Sequence, residues 1–288
     1  MATLPQALAT APTIFSACKP KNDVLQGAMA DAEFAADLAQ VLRGNAPAQY
    51  ADPKRFFANT YPTRGLKDLL LNVCGRLSKG QGVASIFRLD TSYGGGKTHG
   101  LIALVHAVGS GRTIPNIDEF VDPALLPTGN VRIAAYDGEN ADPSNGRKMK
   151  CGVLAYTPWG ELAAQLAGSE GYERIRRSDE TRIAPGAETL QELFGGEPTL
   201  ILLDELAVYL RKVQSMPAAR EQLTAFLTAL FKAVESTPNA VLVYTLAVGR
   251  DGKAQDAYPP GESVPGGEDG RSGERVRPKG DAAEPDRG

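Results

Sequence analysis

The chain has 288 residues, and its 31 Lys and Arg residues and 34 Asp and Glu residues give a formal net charge of −3. This charge excludes a protein that binds duplex DNA through an overall positive charge alone. Hydrophobic residues make up 42% of the chain and charged residues 23%, a composition that can bury a core and excludes disorder of the whole chain. No uncharged apolar run approaches the roughly 18 residues of a membrane span, so we predict a cytoplasmic protein without a membrane partner.

Two amphipathic helices are predicted near the N-terminus. Apolar residues recur at helical intervals over residues 23–42, and Gly44 lies where a C-terminal glycine would end that helix. A polar link with two prolines follows. The second helix begins after Thr63, its predicted N-cap, and has apolar periodicity over residues 66–77. We therefore assign residues 1–82 to an N-terminal helical segment.

Strands and helices alternate in the next part of the chain. Short apolar runs bounded by glycine or turn residues predict strands, and the segments between them have helical periodicity or caps. The predicted strands are residues 83–89, 131–136, 200–203 and 240–246, and the predicted helices are residues 98–108, 158–167 and 217–234. Thr157 is the predicted N-cap of the second of these helices. This alternation is typical of a parallel α/β sheet with helices on both faces, which we assign to residues 83–257.

The composition changes after Ala257. Residues 259–288 contain no Leu, Ile, Phe, Met or Trp, and they combine many glycines and prolines with closely mixed charges. Such a segment buries too little apolar surface to offset the entropy of ordering it, so we predict a disordered tail over residues 258–288. The tail is either a functional linker or the product of a truncated or frameshifted end.

The cysteines and histidines do not form a metal-binding pattern. Cys18, Cys74 and Cys151 are widely spaced, without a CxxC sequence, and His99 and His106 are the only histidines. Neither a disulfide framework nor a zinc site is predicted. We expect three reduced thiols that fill small apolar gaps, and two histidines that lie in the core or on the surface.

A glycine-rich loop with the sequence DTSYGGGKT joins the first predicted strand to the next helix. In a phosphate-binding loop, amides at the helix start point at the phosphates, and glycines let the backbone approach them closely. The glycines concerned are Gly94, Gly95 and Gly96. Lys97 would reach the terminal phosphates of a nucleotide, and Thr98 would place its hydroxyl on Mg²⁺.

The loop departs from the full phosphate-loop pattern GxxxxGK[ST] at its first position, where Thr91 replaces glycine. Gly94 and Gly95 add conformational freedom later in the loop, so the loop can still close. The alternative interpretation is a glycine-rich turn with a solvated lysine.

Two adjacent carboxylates, Asp204 and Glu205, follow the third predicted strand. In a nucleotide hydrolase the first would hold Mg²⁺ and the second would polarise the attacking water. The alternative is a helix start, where the helix dipole favours acidic residues. The carboxylate pair together with the GKT loop favours a nucleotide site, and the adjacent glutamate and the lack of an NKxD sequence favour ATP over GTP.

Thr245 is a polar residue near the end of the fourth predicted strand, inside an apolar run. Neighbouring strands in such sheets would bring it beside Asp204 and Glu205, where its hydroxyl would orient the water or sense the γ-phosphate. The alternative is a β-branched residue that simply suits a strand.

Together these motifs resemble bacterial AAA-like P-loop ATPases of the class known as domain of unknown function 499, found in long proteins of phage-defence and DNA-modification loci. The resemblance covers residues 14–247. It rests on FFANTYPTRGLK at residues 56–67, YGGGKTH at residues 93–99 and LDELAVY at residues 203–209, with a weaker match, DAEFAADL, at residues 31–38.

The resemblance implies an AAA-like P-loop NTPase fold that binds and hydrolyses ATP. By motif match, Lys97 and Thr98 would carry phosphate and Mg²⁺, with Asp204 as the second ligand of the metal. Glu205 would act on the water, and Thr245 would serve as the sensor. We therefore expect an Mg²⁺-dependent ATP-hydrolysing module of a bacterial defence or DNA-modification system, with DNA or DNA-modification proteins as partners.

Family members are much longer, so we expect a fifth strand, a lid domain and an arginine finger to be missing here. In AAA-like sheets the strand before the phosphate loop lies between the sensor strand and the fifth strand. Residues 83–89 are therefore expected to have one unpaired edge, through which the chain would self-associate. The alternative function is a nucleotide-dependent switch or interaction module with little or no turnover.

Overall fold

The structure of the chain is a computed structural model. It describes residues 36–79, 84–91 and 96–247. The start of the helix predicted over residues 23–42 lies outside this part of the chain, as do Cys18, Gly94, Gly95 and the predicted tail. The domain borders predicted at residues 82 and 257 stay predictions.

Nine helices and six strands are formed by the described residues. The helices are α1 (Leu38–Arg43), α2 (Ala48–Ala51), α3 (Pro53–Asn59), α4 (Arg64–Lys79), α5 (Lys97–Ser110), α6 (Pro158–Thr181), α7 (Ala187–Glu192), α8 (Leu206–Lys212) and α9 (Ala219–Glu235). The strands are β1 (Ile86–Thr91), β2 (Arg132–Asp137), β3 (Arg147–Lys148), β4 (Leu154–Ala155), β5 (Thr199–Asp204) and β6 (Ala240–Ala247). Short 3₁₀ turns join α5 to β2.

The central sheet has the strand order β1-β6-β5-β2, and all of its strand pairs are parallel. β3 and β4 form a separate antiparallel hairpin. Among the described residues, β1 pairs with β6 and with no other strand, as the expected unpaired edge requires. Self-association through that edge stays a prediction.

Helices cover both faces of the sheet. Every residue of β5 is buried, which is the pattern of a central parallel strand. Ile201 and Leu203 pack into one core with α6 to α9, while Leu200 and Leu202 pack into the other with α1 and α3 to α5. This architecture confirms the predicted α/β class with a parallel sheet flanked by helices.

Three predicted helix caps are confirmed. Gly44 ends α1 in the left-handed region, with φ at 80°. The Thr63 hydroxyl oxygen accepts from the amide of Leu66 at 3.3 Å at the start of α4. The Thr157 hydroxyl oxygen accepts from the amide of Gly160 at 3.1 Å at the start of α6.

Three local features differ from the predictions. Cys151 is exposed and does not fill an apolar gap, because it lies in the turn between β3 and β4. The polar link around Pro47 and Pro53 contains the short helices α2 and α3, because Pro53 occupies the first turn of α3 and the Asp52 carboxylate caps it through the amide of Lys54 at 2.9 Å. The helix predicted over residues 158–167 continues to Thr181. Its predicted end coincides with a break at Gly168, where φ is 63° and a second helical half begins.

The N-terminal helices pack directly on the sheet. Phe56 of α3 and Leu70 of α4 share a core with Leu101 of α5. The Arg76 guanidinium donates to the carbonyls of Thr237 at 3.1 Å and Ala240 at 3.4 Å, and so ties α4 to the entry of β6. No helix in the described ranges is long and apolar enough to cross a membrane.

Candidate functional site

The candidate site lies at the end of the sheet where the parallel strands finish. The carboxyl ends of β1, β5 and β6 lie near the first turn of α5 there. Gly96 precedes α5 with φ at 75°, a left-handed conformation that glycine adopts without strain. Lys97, the first residue of α5, is only 9% exposed. The chain therefore enters α5 by a sharp turn, with the lysine held in the protein at the helix start.

Three residues predicted from separate motifs form one hydrogen-bonded group. The Thr98 hydroxyl donates to Asp204 Oδ2 at 2.8 Å, and the Thr245 hydroxyl donates to Asp204 Oδ1 at 2.5 Å. Asp204 and Thr245 are each 2% exposed. α5, β5 and β6 thus supply one side chain each, and both oxygens of the carboxylate are fixed.

Glu205 turns the chain from β5 into α8. Its φ of 49° lies in the left-handed region, which costs a non-glycine residue about 1 kcal/mol or more. Its amide donates to Asp204 Oδ1 at 3.1 Å and to Thr245 Oγ1 at 3.3 Å. The backbone of Glu205 is therefore anchored to Thr245 and to Asp204, the candidate metal ligand.

The end of β2 adds residues to this site that sequence analysis did not identify. Asp137 is buried and lies opposite Asp204 in the strand register. Its Oδ1 accepts from the amide of Glu139 at 2.9 Å, and its Oδ2 accepts from the side chain of Asn140 at 2.7 Å. In the sequence, Asp137 is recognisable only as an acidic residue directly after the predicted strand over residues 131–136. The strand order is what brings it beside Asp204.

Gly138 brings the β2 end into direct backbone contact with β5. Its amide donates to the Asp204 carbonyl at 2.9 Å. A Cβ atom at this position would lie 2.0 Å from the Glu205 carbonyl oxygen, so no larger residue fits without moving the start of α8.

Burial dominates the electrostatics of the carboxylates. It raises the pKa of Asp204, while the hydrogen bonds from Thr245 and Thr98 act in the opposite direction. Burial and then the charge of Asp204 raise the pKa of Glu205, against a lowering by the Lys97 ammonium. The site therefore disfavours negative charge on its acids and would gain from a bound cation.

The donor set suits a magnesium ion that keeps most of its ligands outside the protein. Thr98 and Asp204 offer hard oxygen atoms, and Mg²⁺ typically takes one or two protein oxygens with water and substrate phosphates. In the described part of the chain, no group of three or more His, Cys, Asp or Glu side chains is arranged to hold a metal. The residues fit Mg²⁺ bound together with a nucleotide rather than an all-protein metal cage.

The histidines belong to the packing around α5. His99 Nε2 lies 2.9 Å from the Thr60 hydroxyl, and its ring stacks on Phe56 at 4.4 Å between centroids. His106 Nε2 lies 2.7 Å from the carbonyl of Tyr50. Burial lowers the pKa of both rings. The two side chains connect α5 to the helices before it.

Comparison with known proteins places the chain in one family. No curated protein matches the sequence. The family model of the DUF499 N-terminal domain matches residues 15–260, which is most of the chain and includes every residue of the site described above. The protein therefore belongs to the DUF499 N-terminal domain family.

Proposed function

We propose that this protein is an AAA-like P-loop NTPase that binds Mg²⁺ and ATP at the carboxyl edge of its sheet and hydrolyses the nucleotide. The hydrogen bonds from Thr98 and Thr245 to the two oxygens of Asp204 carry the proposal. A solvated lysine turn and an ordinary acidic helix start would not need this convergence of α5, β5 and β6. The strand order, with β1 beside β6 and β6 beside β5, supports the same assignment.

Nucleotide binding is assigned to the start of α5. Amides of the first turn have no partner within the helix and favour an anion, and the 14-residue helix adds its dipole. Lys97 would bring its ammonium to the terminal phosphates. Gly96 supports this role because glycine adopts the left-handed conformation at the start of the helix without the strain that a side chain would impose.

Metal binding is assigned to Thr98 and Asp204. A bound Mg²⁺ would neutralise the charge that develops on the transferred phosphoryl group. Thr245 holds Asp204 Oδ1, and this hydrogen bond leaves Oδ2 directed at Thr98. The two metal-binding oxygens are therefore oriented by the protein before any ligand arrives.

Proton transfer is assigned to Glu205. Burial and the neighbouring Asp204 raise the pKa of this carboxylate, and a base with a pKa nearer to neutral takes a proton from water more effectively. The anchored amide of Glu205 fixes where its side chain begins. We propose from the family resemblance alone that the protein belongs to a defence or DNA-modification system. In that system, ATP hydrolysis would act on DNA or on partner proteins.

Two substitutions test the assignment on the full chain. Lys97→Ala should weaken Mg²⁺–ATP binding at least about tenfold in a calorimetric titration, since one charge-assisted contact to phosphate is lost. Lys67→Ala, on the exposed side of α4, is the control and should bind like the parent. Equal affinities of the Lys97 variant and the parent would reject the phosphate-loop assignment.

The second substitution separates binding from chemistry. Glu205→Gln keeps the size of the side chain but removes its basicity, so it should bind ATP normally and lose turnover. If the variant hydrolyses ATP as fast as the parent, Glu205 has no role in catalysis and is only an acidic residue at the start of a helix. Binding without turnover in the parent itself would identify the nucleotide-dependent switch instead.

A further inference from the structure

A cavity of about 410 Å³ lies beside the outer edge of β2. α1, the β3–β4 hairpin and the first half of α6 surround it, and the half-buried Leu42 and Ile133 contribute apolar surface. Its volume falls within the range of sites for small organic ligands. Lys97, Thr98 and Asp204 do not line it, although Asp137 at the end of β2 does. The cavity therefore adjoins the proposed nucleotide site but does not include its phosphate-binding and metal-binding residues.

The edge of β2 inside the cavity is already closed to another strand. The Gln165 side chain donates to the carbonyl of Ala135 at 2.8 Å and accepts from its amide at 3.0 Å. Both backbone groups that a pairing strand would need at this position are therefore satisfied from within the chain. This contact argues for a compact occupant rather than an extended peptide.

Cations outnumber carboxylates around the cavity. The charged residues that line it are Arg43, Arg147, Lys148, Lys150, Asp137 and Glu161. Glu161 forms an ion pair with Arg147 at 2.9 Å, and Asp137 accepts a hydrogen bond from the neutral side chain of Asn140 at 2.7 Å. The remaining positive charge stands out on a chain whose formal net charge is −3.

The positive groups converge from two segments that are far apart in sequence. Arg43 lies in the last turn of α1, and Lys148 is an exposed residue of β3. Lys150, in the hairpin turn, donates to the carbonyl of Leu42 at 3.0 Å and holds the hairpin against the end of α1. The cations that line the cavity thus come from the end of α1 and from the hairpin.

We propose that this cavity is a second ligand-binding site, specific for a small organic anion that has an apolar body and a phosphate, sulfonate or carboxylate group. The apolar body packs on Leu42 and Ile133. The anionic group is held by Arg43 and Lys148, where charge-assisted hydrogen bonds favour it and would repel a cationic ligand.

A matched pair of dyes tests the proposal on the full chain. Anilinonaphthalene sulfonate carries an apolar body and one anionic group, and N-phenylnaphthylamine has the same rings without the charge. In fluorescence titrations the sulfonate should saturate a single site. The combined change Arg43→Glu with Lys148→Glu should weaken it by about tenfold or more and leave the neutral dye nearly unaffected.

Three controls keep the result specific. Lys67→Glu reverses a charge on the exposed side of α4 and should leave the affinity of the sulfonate unchanged. Lys148→Met removes one charge at an exposed position and should give a smaller loss in the same direction, and circular dichroism checks the fold of each variant. Equal affinity of the sulfonate for the parent and the doubly reversed variant would overturn the proposal.

Cys151 reports where the dye binds, because this exposed thiol lines the cavity while Cys74 is buried. The bound sulfonate should slow alkylation of Cys151 by iodoacetamide, followed by peptide mass spectrometry. Unchanged alkylation at saturating dye would also overturn the proposal. So would loss of dye binding in Lys97→Ala, which would place the dye in the proposed nucleotide site.

Discussion

Glu161 is a carboxylate that folding places at an unfavourable position. It is 3% exposed, and burial raises its pKa to about 7 although the Arg147 ion pair acts in the opposite direction. The folded chain therefore keeps a proton that the unfolded chain releases near the ordinary value of 4.5. The stability contributed by this group is full below that value and is lost as the pH rises towards 7.

Glu161→Gln tests this pH dependence. The shift corresponds to a loss on the order of 3 kcal/mol across the window, so urea unfolding of the parent should show a falling free energy between pH 4.5 and 7, and the variant a flatter profile. Glu180→Gln, exposed on the same helix, is the control and should follow the parent. Parallel profiles for the parent and the Glu161 variant would contradict a buried, protonated Glu161.

Thr245 has two interpretations that a pair of substitutions can separate. Thr245→Val keeps the β-branched shape but removes the donor to Asp204 Oδ1. It should destabilise the fold by about 1–3 kcal/mol and weaken the Mg²⁺ dependence of ATP binding, because a buried carboxylate oxygen loses its partner. Thr245→Ser keeps the hydroxyl and should retain the Mg²⁺ response. If the valine variant matches the parent in calorimetric titrations, Thr245 is only a strand residue.

At the level of elements, the end of β2 approaches the start of α8 closely, and this approach depends on the lack of a side chain at Gly138. Gly138→Ala would place a Cβ 2.0 Å from the Glu205 carbonyl oxygen and force the start of α8 to move. We expect a loss of stability of about 1–3 kcal/mol and weaker Mg²⁺–ATP binding, measured by thermal unfolding and calorimetry. Gly129→Ala is the control, since its Cβ would meet nothing within 4 Å. A Gly138 variant that matches the parent in both measurements would contradict this close approach.

The elements around the site were predictable because their signals are local. β5 is a continuous apolar run that ends in two acids, and such a run identifies a buried parallel strand without any knowledge of its neighbours. The prolines before α4 misled the prediction, because Pro53 starts a helix rather than interrupting one. The second half of α6 was missed because Gly168 breaks the periodicity inside one long element.

Most of the candidate site could be predicted from motifs that are contiguous in sequence. Lys97 and Thr98 follow a glycine loop, and Asp204 and Glu205 follow a strand, so residue type and context were enough to single them out. Asp137 and Gly138 contribute through the pairing of β2 with β5, which the sequence does not specify. Thr245 could be predicted because neighbouring strands in such sheets bring it beside Asp204, whereas the place of β2 in the strand order is a tertiary property that no local pattern specifies.

At the scale of the whole molecule, the two faces of the central sheet pack into two separate hydrophobic cores. Val241 and Val243 of β6 face the core with α1 and α3 to α5, while Ala240 and Leu242 face the core with α6 to α9. Removing the helices on either face would expose alternate residues of the same strands. The packing therefore favours cooperative unfolding of the described part of the chain, including the helices before residue 80.

Two native probes test this cooperativity, one in each core. Trp159, the only tryptophan, is buried with α6 to α9, and Cys74 of α4 is buried in the opposite core, where burial raises its thiol pKa to about 12. In urea, Trp159 emission and Cys74 alkylation should change at midpoints that agree within about 0.2 M. Exposed Cys151 should react at every urea concentration and serves as the control. Alkylation of Cys74 well before the change in Trp159 emission would instead make the helices before residue 83 a separate unit, because their core could then open without disturbing the sheet.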